Sequence, residues 1–237
     1  MTPTPPGLVV ALDGPASSGK SSVGAAAAGR LGYRFFDTGL LYRATTYAAL
    51  KLGVALDDPV GLMRVSDQVH PFADERGRIT RVSFGEANVS DLIHGPEVDA
   101  AVSAVSRVPE LREHLIGWQR RIAESGRIIV AGRDIGTVVL PDADLKLFID
   151  ASPEERARRR AEERGIDPDG AEAQEILRDL RQRDAADSSR AIAPLRIPAG
   201  ATVIRTDGNV FETTVDLVVA AITARAEALA TPDLAPR

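Results

Sequence analysis

Residues 8–22 read LVVALDGPASSGKSS, and the order of chemistry in that stretch decides the fold. Leu8 to Leu12 is a short apolar run carrying β-branched Val9 and Val10, which suits a parallel strand buried on both faces. It runs into residues 14–21, GPASSGKS, a match to G-x-x-x-x-G-K-[ST]. Gly14 and Gly19 allow the backbone to turn so that successive N–H groups aim at oxygen anions. The Ala-rich segment from Ser21 to Leu31 predicts a helix whose positive N-terminal end meets the same anions. Gly14, Pro15, Ala16, Ser17, Ser18, Gly19, Lys20, Ser21 and Ser22 are therefore the candidate triphosphate-binding residues, with Lys20 reaching the terminal phosphates and the Ser21 hydroxyl holding magnesium. A chance Gly/Ser loop can match the pattern; a place between an apolar strand and an Ala-rich helix is the context that the motif requires.

Outward from this loop, strand-like and helix-like segments alternate. Tyr33 to Phe36, Arg127 to Ala131, Leu145 to Ile149 and Ala201 to Arg205 read as further core strands. Leu40 to Leu52, Val98 to Glu124 (broken at Pro109), Pro153 to Arg164, Ala171 to Arg183 and Val210 to Ala230 read as helices, with Ser152 as an N-cap. Such alternation predicts a mostly parallel sheet covered on both faces, with ligands outside the carboxyl ends of the strands. Between Ser66 and Gly95 the pattern changes to three short strand candidates, Val69 to Ala73, Ile79 to Phe84 and Ala87 to Val89, with turns at Gly77 and Gly85. Strands joined so closely are antiparallel, because a parallel crossover needs about a dozen residues or more. They mark an inserted sub-domain.

Composition excludes several classes. A net charge of −5 argues against a globally basic nucleic-acid binder, and with no cysteine there is neither a disulfide nor a Cys-ligated metal. No apolar run approaches the ~20 residues that span a bilayer. Met1 to Gly7, Pro/Thr-rich without a basic segment, reads as a disordered lead rather than a signal peptide, and 231–237 as a loose tail. A cytoplasmic protein without membrane or nucleic-acid partners is expected. His70, His94 and His114 are scattered and receive no role.

The loop alone does not choose among kinases, GTPases and ATPases. A guanine-reading N-K-x-D segment is absent, and Ile128 to Ala131 ends in Gly132-Arg133-Asp134 rather than in Asp-Glu. Small-molecule kinases remain. Arg43 follows Asp37-Thr38 on a predicted helix, Arg133 ends a strand, and Arg183 and Arg190 close a long helical stretch with Asp187. Arginine's planar fork suits phosphate oxygens, and a kinase for a phosphorylated acceptor needs more such groups than one for an alcohol. Asp187 and Arg190 could also be a surface i,i+3 pair. Residues 154–164, EERARRRAEER, read either as a solvated helix with Glu154–Arg158 and Glu155–Arg159 pairs, or as a lid whose arginines fold over the transferring phosphoryl group.

GPASSGKSS at 14–22, DTGLLYR at 37–43, GRDIGTVVLPDA at 132–143 and QRDAADSSRAIAPL at 182–195 together closely resemble bacterial-type cytidylate kinase, over about Leu8 to Ala230. The resemblance implies an α/β P-loop core with a five-stranded parallel sheet, built from 8–39 and 126–230. It further implies a helical lid over about 153–190 and an acceptor domain over 40–125 with an antiparallel insert at about 66–95. It implies transfer of the terminal phosphoryl of ATP to CMP or dCMP with magnesium, by a monomer. By matching motif, Thr38, Arg43, Arg133 and Arg190 would hold the acceptor phosphate beside Asp37. Arg183 and Asp187 would contact the sugar, and Ser103, Arg112 and Asp134 would read the cytosine. Arg158, Arg159 and Arg160 match the lid arginines as a cluster, and Lys20, Arg133 and Arg190 join them in the transfer step. Ala185, Ala186, Ser188 and Ser189 stand where the family is often richer in charge. UMP or another phosphorylated metabolite as acceptor, and a nucleotide-binding switch without an acceptor, remain as alternatives.

Overall fold

The computed structural model describes residues 7–190 and 192–231; the expectations for the lead before Gly7 and the tail after Thr231 fall outside the described residues. In chain order the elements are β1 (Val9–Asp13), α1 (Lys20–Leu31), β2 (Arg34–Asp37), α2 (Gly39–Leu52), α3 (Pro59–Ser66), β3 (Val69–Ala73), β4 (Arg78–Phe84) and β5 (Ala87–Asn88). They continue with α4 (Pro96–Val105), α5 (Pro109–Ala123), β6 (Ile128–Gly132), β7 (Leu145–Asp150), α6 (Pro153–Glu163), α7 (Ala171–Ser188), β8 (Thr202–Arg205) and α8 (Phe211–Ala230).

The sheet runs β3-β4-β2-β6-β1-β7-β8, with β5 on β4. Five strands, β2-β6-β1-β7-β8, are mutually parallel. Central β6 is buried along its whole length, IIVAG, as a strand covered on both faces must be. Its side chains alternate: Ile129 and Ala131 pack with Val23 and Ala27 of α1 and Val215 and Val218 of α8, while Ile128 and Val130 pack with Leu41 and Ala44 of α2 and Leu111 and Leu115 of α5. Each fully buried Ile or Leu contributes roughly 1.5–3 kcal/mol.

The three inserted strands pair antiparallel, as their spacing requires. They are also continuous with the core sheet: β4 pairs parallel with β2 through Phe35↔Arg78 and Phe36↔Ile79. Three elements had no counterpart in the sequence reading, one of them a 3-10 turn at Leu92–His94. α3 is capped by Asp58, whose side chain accepts from Val60 N, with Pro59 at its first turn. A single π-type helical turn, Ile135–Val139, follows β6. Ser152 does cap α6, its hydroxyl accepting from Glu155 N at 3.2 Å. No helix among the described residues is long and apolar enough to cross a membrane.

Candidate active site

The strand order sets β2, β6 and β1 side by side, so the three motifs that follow them emerge together at the carboxyl edge of the sheet. A cleft of about 780 Å³ opens there. Its floor is the loop after β1. Gly14 admits no side chain, because a Cβ would lie 2.3 Å from the Ile149 carbonyl oxygen. Gly19, at φ 84°, takes the left-handed conformation from which α1 starts. Ser17 adopts that conformation too, at φ 56°, a cost of about 1 kcal/mol in a residue with a side chain. Ala16, Ser17, Gly19, Lys20, Ser21 and Ser22 line the cleft; Gly14, Pro15 and Ser18 do not reach its wall. The Ser18 hydroxyl is buried without a partner among the described residues. Lys20 Nζ donates to Pro15 O at 2.9 Å, and burial, reinforced by Arg133, pushes its pKa well below the usual lysine range.

The opposite wall is rich in arginine. Arg133 donates from Nε to Asp187 at 3.1 Å and from Nη1 to Gly14 O at 3.2 Å, tying the end of β6 to the phosphate loop. Arg190 pairs with Asp187 and donates to Ser106 Oγ at 2.8 Å. The Asp187–Arg190 pair is therefore not the surface pair that i,i+3 spacing allowed; its side chains are 2% and 6% exposed, because the chain after α7 turns back into the cleft. Arg112 of α5 pairs with Asp134 at 2.5 Å and lies over the Tyr42 ring at 5.6 Å. Burial raises the Asp134 pKa, and Arg112 opposes that rise. Arg183 is pushed down to about 10, first by burial and then by Arg133 and Arg43. Arg43 donates to Ile93 O at 2.9 Å and to Asp99 at 2.6 Å. Thr38 lines the cleft, but its hydroxyl donates to Ala131 O at 2.9 Å, holding β2 to β6. Asp37, whose carboxylate accepts from Gly39 N, and Ser103 line it as well.

The cluster at 158–160 divides three ways. Arg160 lines the cleft and pairs with Asp99 at 2.8 Å. Arg159 turns away to Glu155 and Thr206. Arg158 lies on the surface between Glu155 and Glu162, and Glu154 pairs with Arg181 of α7 rather than with Arg158. The structure thus brings every expected acceptor-side residue and Arg160 to one cleft, and leaves Arg158 and Arg159 outside it. Nor is α6 simply a solvated helix: Arg156, buried, donates to Ala151 O, Ala16 O and Asp184, fastening α6 to the phosphate loop and to α7. Ala157, Ala161, Ala173, Ile176 and Leu180 form a small core between α6 and α7 that rests on Ala16.

Nine cationic side chains and six carboxylates line the cleft. The Nε atoms of Arg112, Arg183 and Arg190 are buried with no partner among the described residues. The cationic excess of the lining, nine against six, suits an anion with several acceptor oxygens. A divalent cation fits the same cleft as a companion of phosphate. Such an ion keeps several waters and takes only one or two protein oxygens; the Ser21 hydroxyl and the Asp37 carboxylate are available, and no cluster of three ligating side chains that could hold a metal by itself occurs among the described residues.

Sequence reasoning missed four participants. Asp13 is buried at the end of β1 and accepts from Ile135 N at 2.7 Å and Gly136 N at 2.8 Å, fixing the turn that follows Arg133 and Asp134. Its signal was a charge closing an apolar strand. Ser106 bonds Arg190 through its hydroxyl and Arg112 through its carbonyl. Arg164 and Asp99 meet at 3.1 Å across the cleft mouth.

The model of the family described as cytidylate kinase matches residues 10–224. The cytidylate kinase of Pelotomaculum thermopropionicum is 41% identical over 217 residues, covering 91% of this chain and 96% of that protein. That of Mycolicibacterium paratuberculosis is 45% identical over 200 residues, 84% of this chain and 88% of that protein. Among solved structures, a gluconokinase from Sinorhizobium meliloti superposes with a TM-score of 0.50 at 18% identity, covering 95% of this chain and 96% of that one, which is a likeness of fold.

Proposed function

The chain belongs to the cytidylate kinase family, and on that footing we propose that it transfers the terminal phosphoryl group of ATP to the phosphate of CMP or dCMP, yielding ADP with CDP or dCDP. The observation that carries this reading is the excess of cationic over acidic side chains, nine to six, around one cleft that also contains the phosphate loop. A neutral alcohol acceptor would bring no charge to offset that excess.

In this reading residues 8–39 and 126–230 form the nucleotide-binding core, 40–125 the acceptor unit, and α6 with α7 the lid. Lys20 leaves the Pro15 carbonyl to meet the terminal phosphates, and Ser17, Ser18, Gly19, Ser21 and Ser22 surround them. Magnesium, when bound through Ser21, neutralises phosphate oxygens. Arg43, Arg133 and Arg190 hold the acceptor phosphate, and Thr38 joins them by rotating its hydroxyl from Ala131. The acceptor atom is already an anionic oxygen, so no strong general base is required. The bond from the terminal phosphorus to its bridging oxygen breaks as the acceptor oxygen attacks, and Arg133, Arg160 and Lys20 offset the charge spread over the moving group. Arg183 and Asp187 meet the sugar.

Base choice falls to Asp134, Ser103 and Arg112. The cytosine 4-amino group donates to Asp134 and the Ser103 hydroxyl; uracil would set a carbonyl oxygen against the carboxylate, leaving a buried acceptor unpaired at about 1–3 kcal/mol. The reading places a monomer in the cytoplasm. Product analysis by phosphorus NMR with ATP, magnesium and CMP tests it. Equal amounts of ADP and CDP are expected. Release of inorganic phosphate with CMP left intact would instead identify a nucleotide-hydrolysing switch.

A further inference from the structure

One carboxylate at the cleft mouth meets more cations than any other. Asp99 stands in the first turn of α4. Its Oδ1 pairs with Arg43 Nη2 at 2.6 Å and with Arg183 Nη1 at 3.7 Å, and its Oδ2 with Arg160 Nη2 at 2.8 Å and Arg164 Nη2 at 3.1 Å. These four arginines come from α2, α7, α6 and the residue closing α6. We infer that Asp99 is an internal counter-anion: it holds the cleft arginines and latches α4 to α6 and α7, and an incoming phosphate has to take those arginines from it. The inference rests on the reading of the cleft as a phosphate site.

Three observations support the assignment. First, the side chains of Arg160 and Arg164 have no other hydrogen-bond or ion-pair partner among the described residues, whereas that of Arg43 keeps its bond to Ile93 O. Asp99 therefore fixes the two lid arginines but is not what positions Arg43. Second, helix α4 does not depend on it, since Glu97 is another acid in the same first turn and serves the helix dipole equally. Third, burial would raise its pKa, yet Arg43 and Arg160 hold the carboxyl below the usual range, so it stays ionised and competes as an anion at neutral pH. A carboxylate offers one charge and two oxygens against four guanidinium groups. A phosphate monoester offers close to two charges and three oxygens. The exchange thus favours substrate, and the latch weakens its apparent affinity without preventing entry.

The test is Asp99→Asn, which keeps shape and removes charge, with Asp99→Ser as a second variant if the first does not fold. At constant ionic strength, calorimetric binding of inorganic sulfate to the nucleotide-free protein should tighten by about fivefold or more. The radius of gyration of the nucleotide-free variant should exceed that of the unsubstituted protein, while the two agree when saturated with ATP and CMP. KM for CMP should fall by a similar factor. Unchanged or weaker sulfate binding, or a nucleotide-free radius equal to that of the unsubstituted protein, would overturn the latch. The sulfate and scattering measurements need no turnover, so a failure of the CMP assignment alone would leave them able to decide.

Discussion

Arg112 and Asp134 form an ion pair at 2.5 Å with side chains only 3% and 8% exposed, one contributed by α5 and the other by the segment after β6. The pair joins the proposed acceptor unit to the core at the point where the base would lie. Removing one partner leaves a buried charge unmatched, so Asp134→Ala should lose about 3–5 kcal/mol in urea unfolding. Asp134→Asn keeps a hydrogen-bonding side chain and should fold, but its amide can also donate to a carbonyl. Its ratio of kcat/KM for CMP over UMP should drop by about tenfold or more; an unchanged ratio would remove Asp134 from base recognition.

Lys20 is a buried cation whose hydrogen bond is to a single carbonyl. Its lowered pKa means that the ammonium is disfavoured in the empty fold. Lys20→Met should therefore leave the Tm of the nucleotide-free protein unchanged or higher, while turnover falls by about 10²–10³ or more. A variant that retains turnover contradicts the phosphate-loop role.

Asp13 gives a pH signature. Burial raises its pKa from 3.8 to about 6, despite the amides of Gly136 and Ile135. The folded value lies above the unfolded one, so the folded state binds the proton more tightly. The stabilisation is complete below about pH 4 and is lost as pH rises through 6, about 3 kcal/mol in all. Asp13→Asn cannot titrate. The stability of the unsubstituted protein minus that of the variant should decline from pH 4 to pH 7, and a difference independent of pH contradicts the assignment.

The arginines at 158–160 should separate functionally as they do in space. The Arg158 pairs with Glu155 and Glu162 are exposed i,i+3 and i,i+4 contacts, worth a few tenths of a kcal/mol. Arg158→Ala should keep kcat within about twofold, whereas Arg160→Ala should lose about tenfold or more. Equal losses would mean that α6 rotates to present a different face during turnover.

Much of the fold was legible because each core strand carried its own signal. The strands expected at Leu8–Leu12, Arg127–Ala131 and Leu145–Ile149 each contain a buried apolar stretch, and each lies within a residue or two of its observed strand. The loop 14–21 was legible because its glycines and lysine answer a local geometric demand. Local signals do not report partners far apart in sequence. Nothing in 78–84 showed that β4 would join β2 and extend the parallel sheet. Asp99 reads as an ordinary helix-start acid until α6 and α7 bring arginines to it. Arg156 looks like its neighbours in EERARRRAEER, and only the packing of α6 on Ala16 makes it the buried one. The Asp58-Pro59 start of α3 is different: its cap and proline were readable and went unread.

The most direct test is the initial rate of ADP release with ATP and magnesium across CMP, dCMP, UMP, AMP and GMP. Phosphoryl transfer to a cytosine monophosphate predicts fast turnover with CMP and dCMP, and kcat/KM for the other three lower by at least about tenfold. Comparable or faster turnover with UMP, AMP or GMP, or ADP release that ignores which acceptor is present, would contradict it.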